Sequence, residues 1–472
     1  MRSSLPQTAR ARSPEAVEAP RLAPDDPAPG TSTPGAEPAA EELAWVLPPP
    51  REAPEPIRVL APDRDLHRRR LSRRRPSKLR RGLGLLLVIP EILRQRRAHG
   101  PRTYRYRVRR IVALVVLLAL SPLIYSYIST MLAPSNSSFF ARTVEWVRDH
   151  GGRWLVNDVE HAWYSLNAPS KGGPALKVLP RVGQFPPAIT HLPPQSSGLY
   201  RPASIPPVIT PTLRGEGVWR TAGPTVAGQP PVLLTTFRPE RDYPRLVAGV
   251  AWINSLLTRV VLYPGRYNPP SGSVRGPMEV PPVLRSSLVA TFNSGFKQKD
   301  ANGGFYASGR LYSPLRNGQA TLLVYRSGQV DVRAWTGGPR PPTTVLFARQ
   351  NLPPIVNYGL LNPNLSDGSK WGYTLGNAIR VWRSGVGVDR HGNLLFAAAD
   401  NQTVASLARV LQRAGAVRAM ELDINHDWVS FITYGGWGAH RPANMLPNMS
   451  HGPTRYLSPD DRDFFAVYRR HF

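Results

Sequence analysis

Residues 386–423, VGVDRHGNLLFAAADNQTVASLARVLQRAGAVRAMELD, carry the reading of the fold. The first part, 386–399, is an apolar run interrupted at Arg390-His391-Gly392, the composition of a hairpin turn between two strands, which leaves His391 solvated. The period then changes over 402–416, where Val404, Leu407, Ala408, Val410 and Leu411 fall on one helical face and Gly415 can end the helix. From 418 to 431, RAMELDINHDWVSF, the pattern reads as a strand again, with Met420, Leu422 and Ile424 on one side and Glu421, Asp423 and Asn425 on the other.

On either side of this stretch, 232–237, 245–253, 287–292, 320–325, 329–335 and 343–348 are short β-branched or alternating runs, and Arg326-Ser327-Gly328 is a second hairpin turn. The predicted class is α+β: a mixed, mostly antiparallel sheet domain with few helices, spanning 216–472. Upstream the composition shifts. Residues 1–62 hold 13 prolines up to position 56 and almost no apolar periodicity, so they are expected to be a disordered cytoplasmic tail.

Residues 63–110 form an Arg-rich segment. From 64 to 110 there are 18 Arg and Lys against Asp65 and Glu91. Such a run could bind nucleic acid or flank a membrane helix, and the apolar span directly after it argues against nucleic acid. Residues 111–133, IVALVVLLALSPLIYSYISTMLA, would form about 34 Å of apolar helix, enough to cross a bilayer core of about 30 Å. Eight arginines and no acid precede this span within 94–110, whereas 134–150 balances two arginines against two acids. The positive-inside rule then makes the chain a single-pass cell-membrane protein, with a cytoplasmic N-terminus and an extracytoplasmic C-terminal domain. The shorter run 83–93 is expected to be an interfacial helix. Membrane-proximal amphipathic helices over 134–166 read as a stalk, and a Pro-rich linker over 167–215 is expected to hold the domain off the surface.

The chain of 472 residues has no cysteine. That excludes disulfides, a thiol nucleophile, Cys-ligated zinc and iron–sulfur clusters. No metal cluster or nucleotide fingerprint is evident, and no cofactor is expected. Arginine outnumbers lysine 54 to 6, a bias expected of a GC-rich bacterial genome. Glu421 and Asp423, two residues apart on a strand, have Cα atoms about 6.6 Å apart on one face. Paired carboxylates are what glycosidic cleavage uses, although two acids on a solvated strand face would look the same.

Three ordered segments resemble the phosphodiester glycosidase family over about 285–435. Asn293-Ser294-Gly295-Phe296 follows an apolar strand, as the family's Asn-Gly-Gly-Phe turn does, and is preferred over Asn302-Gly303-Gly304-Phe305. Arg383-Ser384-Gly385-Val386-Gly387 is similar to the family's Arg-Thr-x-x-Gly segment, and Leu422-Asp423 to its Leu-Asp. The chain departs from the pattern at Ile424-Asn425-His426-Asp427-Trp428, where the family has glycines and serine.

The resemblance implies a hydrolase that cleaves a sugar-1-phosphodiester linkage, here in a cell-envelope glycan. It implies Asp423 as the principal catalytic carboxylate, Glu421 as its partner and Arg383 as the phosphate holder. Asn293, Ser294, Gly295, Phe296, Gly385, Gly387, Asn425, His426 and Asp427 would bind substrate. Gln350-Asn351 could line the pocket, and Trp428 or Trp437 could stack on a sugar. The altered segment after Asp423, with a net +17 after residue 110, leaves a second reading open: a non-catalytic module that binds an anionic wall polysaccharide.

Overall fold

The computed structural model describes residues 101–181, 200–270, 275–367, 370–372 and 380–470. The tail expected over 1–62, the Arg-rich segment as far as 100 with its interfacial helix, and linker residues 182–199 lie outside the described residues.

Eighteen strands, β1 to β18 in chain order, form three sheets among the described residues. The first sheet runs β1 (Arg220–Thr221), β2 (Val232–Phe237), β3 (Ala248–Ile253), β14 (Leu394–Gln402), β13 (Val381–Val388), β15 (Arg418–Glu421), β11 (Val356–Asn357), β12 (Leu360–Leu361). The second runs β7 (Arg310–Ser313), β6 (Phe305–Ala307), β10 (Val345–Gln350), β8 (Ala320–Tyr325), β9 (Val330–Ala334). The third runs β17 (His440–Asn444), β16 (Phe431–Gly436), β5 (Leu288–Asn293), β18 (Phe464–Arg469), β4 (Thr258–Tyr263). Every strand pairing in these sheets is antiparallel. With few helices beside these sheets, the fold is the α+β class expected.

The central strands β2, β3 and β14 of the first sheet are buried on both faces, which is why they read as largely apolar runs. Leu234, Ala251, Phe396 and Val386 face the third sheet, and their neighbours Leu233, Val250, Trp252 and Leu395 face a helix. Between the first and third sheets Phe396 meets Phe431 and Phe292, with ring centroids 5.0 and 5.4 Å apart. The covering helix is Val404–Arg413, capped by a reciprocal Thr403–Ser406 box, with Leu407, Ala408 and Leu411 buried. Gly415 ends it at φ 98°.

Two expectations are corrected. Residues 418–431 are not one strand. The β15 strand stops at Glu421, and Leu422 and Asp423 extend the ladder only through Leu422 N–H to Ser384 O and Ser384 N–H to Asp423 O, at 2.8 and 3.1 Å. The chain then turns at Asn425, whose carbonyl accepts from Trp428, and restarts as β16 in another sheet. Alternation alone could not show that β15 runs out of partner.

The second correction concerns the stalk. Numbering helices in chain order, α1 (Pro101–Leu132) is long and apolar enough to cross a membrane, and none of its apolar window is buried. The chain then folds back as α2 (Phe139–Val147) and, after a break at Gly151 with φ 90°, α3 (Arg153–Leu166). These helices lie against the sheet domain. Asn136 donates to Asp460 at 2.6 Å and accepts from Asp461 N–H at 3.1 Å, and Ser135 and Ser137 both donate to the Asp461 carboxylate. Linker residues also pack on the domain: Gly172 N–H donates to Asp242 O at 2.8 Å, and Ile205 is buried.

Candidate active site

Three chain segments leave the sheets together: 294–297 after β5, 422–430 after β15, and 460–463 before β18. Buried polar side chains lace them. Asn351, just past β10, donates to Glu421 O at 2.7 Å and accepts from Phe296 N–H at 3.3 Å. Arg349, within β10, donates to Asp463 at 2.7 Å and to Phe296 O at 2.5 Å. Gly295 must be small here, since a Cβ would lie 3.0 Å from the Asn351 side chain. Because each donor is satisfied inside the fold, the three segments are held in fixed relation.

They form the floor of a cavity of about 530 Å3, roofed by α2 and α3. Asp423 and Arg462 stand in the floor with Phe296, Ile424, Asn425 and Trp428, while Glu145, Arg148 and Tyr164 come from the roof. Asp423 accepts from Arg462 at 2.8 Å and from Asn425 N–H at 3.1 Å. Its carboxyl is raised above the ordinary range, mainly by burial, against the pull of Arg462 and with a further push from Glu145. Arg462 also donates to Gly295 O at 3.1 Å, and its guanidinium lies 4.9 Å from the Trp428 ring centroid.

Glu421 lies behind this floor and does not line the cavity. Burial pushes its carboxyl up to about 7, against the Arg383 guanidinium that donates to it at 2.5 Å. The reading of Glu421 and Asp423 as two ordinary acids on a solvated face is therefore excluded, since both are buried. Only Asp423 reaches the cavity.

Several expected site residues turn out to be supports. Arg383 is spent on Glu421, Gln402 O and Trp371 O, and does not face the cavity. Asn293 ties Ser384, Ser294 O and Ser430 N–H together inside the fold. Ser294 is buried, with its backbone bridging Asp423 and Asp463. Gly385 and Gly387 face the covering helix and β15: a Cβ at Gly385 would sit 2.9 Å from both Leu411 and Met420 O. Gly385 lets the helix approach the sheet and Gly387 lets Ala416 and β15 approach it, and neither brings a backbone close to substrate. His426 and Asp427 pair with each other at 3.8 Å on a partly exposed turn outside the cavity. Gln350 holds Gly304 and Arg316 N–H instead of lining a pocket, and His391 stacks on Tyr200 at 3.7 Å. Of the two tryptophans, Trp428 lines the cavity and Trp437 packs on the core.

Sequence reading misses Arg462, Arg349, Asp463 and Glu145. One signal was available: Asp460-Asp461-Arg462-Asp463 places four charges directly before the apolar strand FFAVY. Such a run at a buried strand's start must find partners inside, and here each does. Among the described residues no group of three or more His, Asp and Glu is placed to hold a metal ion.

A model of the phosphodiester glycosidase family matches residues 286–423. The solved structures similar to this chain include the zebrafish N-acetylglucosamine-1-phosphodiester α-N-acetylglucosaminidase catalytic domain auto-inhibited by pro-peptide. That match is 15% identical, has a TM-score of 0.36, and covers 53% of this chain and 87% of the other. A hypothetical protein from Synechocystis matches at 13% identity and a TM-score of 0.34, covering 52% of this chain and 63% of the other. No curated protein matches significantly.

Proposed function

We propose that the chain is a membrane-anchored hydrolase, with its domain on the extracytoplasmic side, that cleaves a sugar-1-phosphodiester linkage in a cell-envelope glycan. The observation that carries this reading is Asp423: it closes the segment matched by the glycosidase family and is the one carboxylate of the predicted pair that opens into the cavity. The exposed apolar surface of α1, preceded by its arginines, supports the membrane anchor.

In this reading the phosphodiester draws Lys297, Lys299 and Lys370 away from Glu145, Asp149 and Asp367, the carboxylates that pair with them. Asp423 acts at the anomeric carbon, where positive charge develops as the bond to the phosphate oxygen breaks. The electron pair leaves with the phosphate, and a water oxygen ends on the sugar. Arg462 orients the Asp423 carboxylate. Trp428 packs against the Arg462 guanidinium and helps to fix it beside Asp423.

The direct test offers the purified chain a panel of sugar-1-phosphodiesters and measures release of free sugar. Asp423→Asn should lower release by about 100-fold or more. Undiminished release by that variant would overturn the role given to Asp423. The binding-module reading draws on the same residue, because Arg462 and Asn425 already occupy both Asp423 oxygens. Glycan binding with no turnover by the wild type would favour it.

A further inference from the structure

We propose that the substrate is an amphiphile: a sugar phosphodiester whose alcohol portion is a long lipid chain seated in the outer leaflet. This narrows the substrate class of the glycosidase reading and rests on it.

A second cavity, of about 360 Å3, borders the first and shares Glu145, Asp149, Lys297, Lys299 and Arg462 with it. Its far end reaches Thr130, in the last turn of α1. Because α2 folds back, its residues meet α1 below its end: Trp146 donates to Ser126 at 3.1 Å, and His150 pairs with the same hydroxyl at 3.0 Å. Ser126 lies about 9 Å along the helix from Leu132 at 1.5 Å per residue. The second cavity therefore opens at the level where an apolar helix leaves its bilayer, and the polar floor with Asp423 lies beyond it.

The outer faces of the roof point to the same surface. On α3, Leu155, Val159, Trp163 and Leu166 recur at helical spacing and are 47–85% exposed, and on α2 Phe139 and Phe140 are 65% and 76% exposed. A stripe of this kind next to a membrane span, with tryptophan in it, is the signature of a helix lying in the lipid interface. The occupant is the bilayer itself, since only six residues separate α2 from the end of α1, and α2 packs on it. Three of the chain's six lysines, Lys297, Lys299 and Lys370, line the first cavity, paired with Glu145, Asp149 and Asp367, and a phosphate head would compete with those carboxylates for them.

The reaction balances without a further reagent. Water adds its oxygen to the anomeric carbon, the carbon–oxygen bond to phosphate breaks, and a proton is released. Free sugar leaves to water and the lipid phosphomonoester stays in the leaflet.

The test uses the full chain in phosphatidylcholine–phosphatidylglycerol vesicles and pairs of esters that differ only in the alcohol. The probes are the hexadecyl and methyl phosphodiesters of N-acetylglucosamine 1-phosphate and of glucose 1-phosphate. The expected result is a kcat/KM about tenfold or more higher for a hexadecyl ester, since membrane partitioning grows with each buried methylene. A Val159→Ser/Trp163→Ser double variant should reduce that advantage and leave methyl-ester hydrolysis unchanged. Equal rates on the two esters would overturn the lipid-borne substrate and leave the glycosidase reading standing. A hexadecyl advantage untouched by the double variant would overturn the docking of α3 on the bilayer. Hydrolysis of no ester would overturn both the glycosidase reading and this inference.

Discussion

At the scale of single residues, the site is one buried acid controlled by one buried base. Arg462 lowers the Asp423 carboxyl that burial raises, so the two effects oppose each other over a 2.8 Å contact. Removing the charge with Arg462→Gln should take away the main pull against burial, leaving only the Asn425 and Ile424 N–H groups to oppose it, and raise the Asp423 pKa further. The acidic limb of the kcat/KM profile should then move to higher pH, and a limb that stays in place would separate Arg462 from Asp423. Glu421 behaves differently because it is sealed. In the folded chain it holds its proton up to about 7, against an ordinary 4.5. The stability it lends is complete below 4.5 and is lost as pH rises through about 7. Glu421→Gln should flatten thermal stability across that window, read as Tm against pH. Asp423 was legible in the sequence because alternation and the family-like Leu-Asp converge on it. Arg462 was not, because its partner is 39 residues away and no local period links them.

At the scale of elements, the glycines of β13 show how a motif can mislead. Read as a phosphate-binding segment, Gly385 and Gly387 instead let the Val404–Arg413 helix and β15 approach the strand. Gly385→Ala would push a methyl against Met420 O, a backbone atom with no rotamer to change. The expected cost is about 1–3 kcal/mol of unfolding free energy, measured by denaturant titration, with KM for any substrate unchanged. A raised KM at wild-type stability would return Gly385 to the binding surface. The hairpin and the helix were legible because each is encoded within some fifteen residues: Asp389 accepts from His391 and Asn393 N–H, and Thr403 and Ser406 cap each other. The end of β15 was not, since a strand stops where its neighbour stops.

At the scale of the whole molecule, the segment between the span and the sheets is a roof rather than a spacer. Its hold on the domain runs through Ser135, Asn136 and Ser137, which meet Asp460 and Asp461 more than 320 residues later. Asn136→Ala removes a donor to Asp460 and an acceptor for Asp461 N–H at once. It should cost about 1–3 kcal/mol, the usual penalty for leaving a buried polar group without its partner. It should also speed proteolysis within 134–166, and unchanged cleavage there would detach the roof from that contact. Local order along the chain was enough for everything that repeats over a short range: the apolar span, the antiparallel α+β domain, the covering helix, and Asp423 at the end of an alternating run. Which polar groups meet was settled only once the chain packed. Packing withdrew Arg383 and Glu421 from the cavity, brought Arg462 to Asp423, and closed α2 and α3 over both. Side-chain period records which face a residue occupies. The partner waiting on that face comes from a remote part of the chain, and only the folded arrangement brings it there.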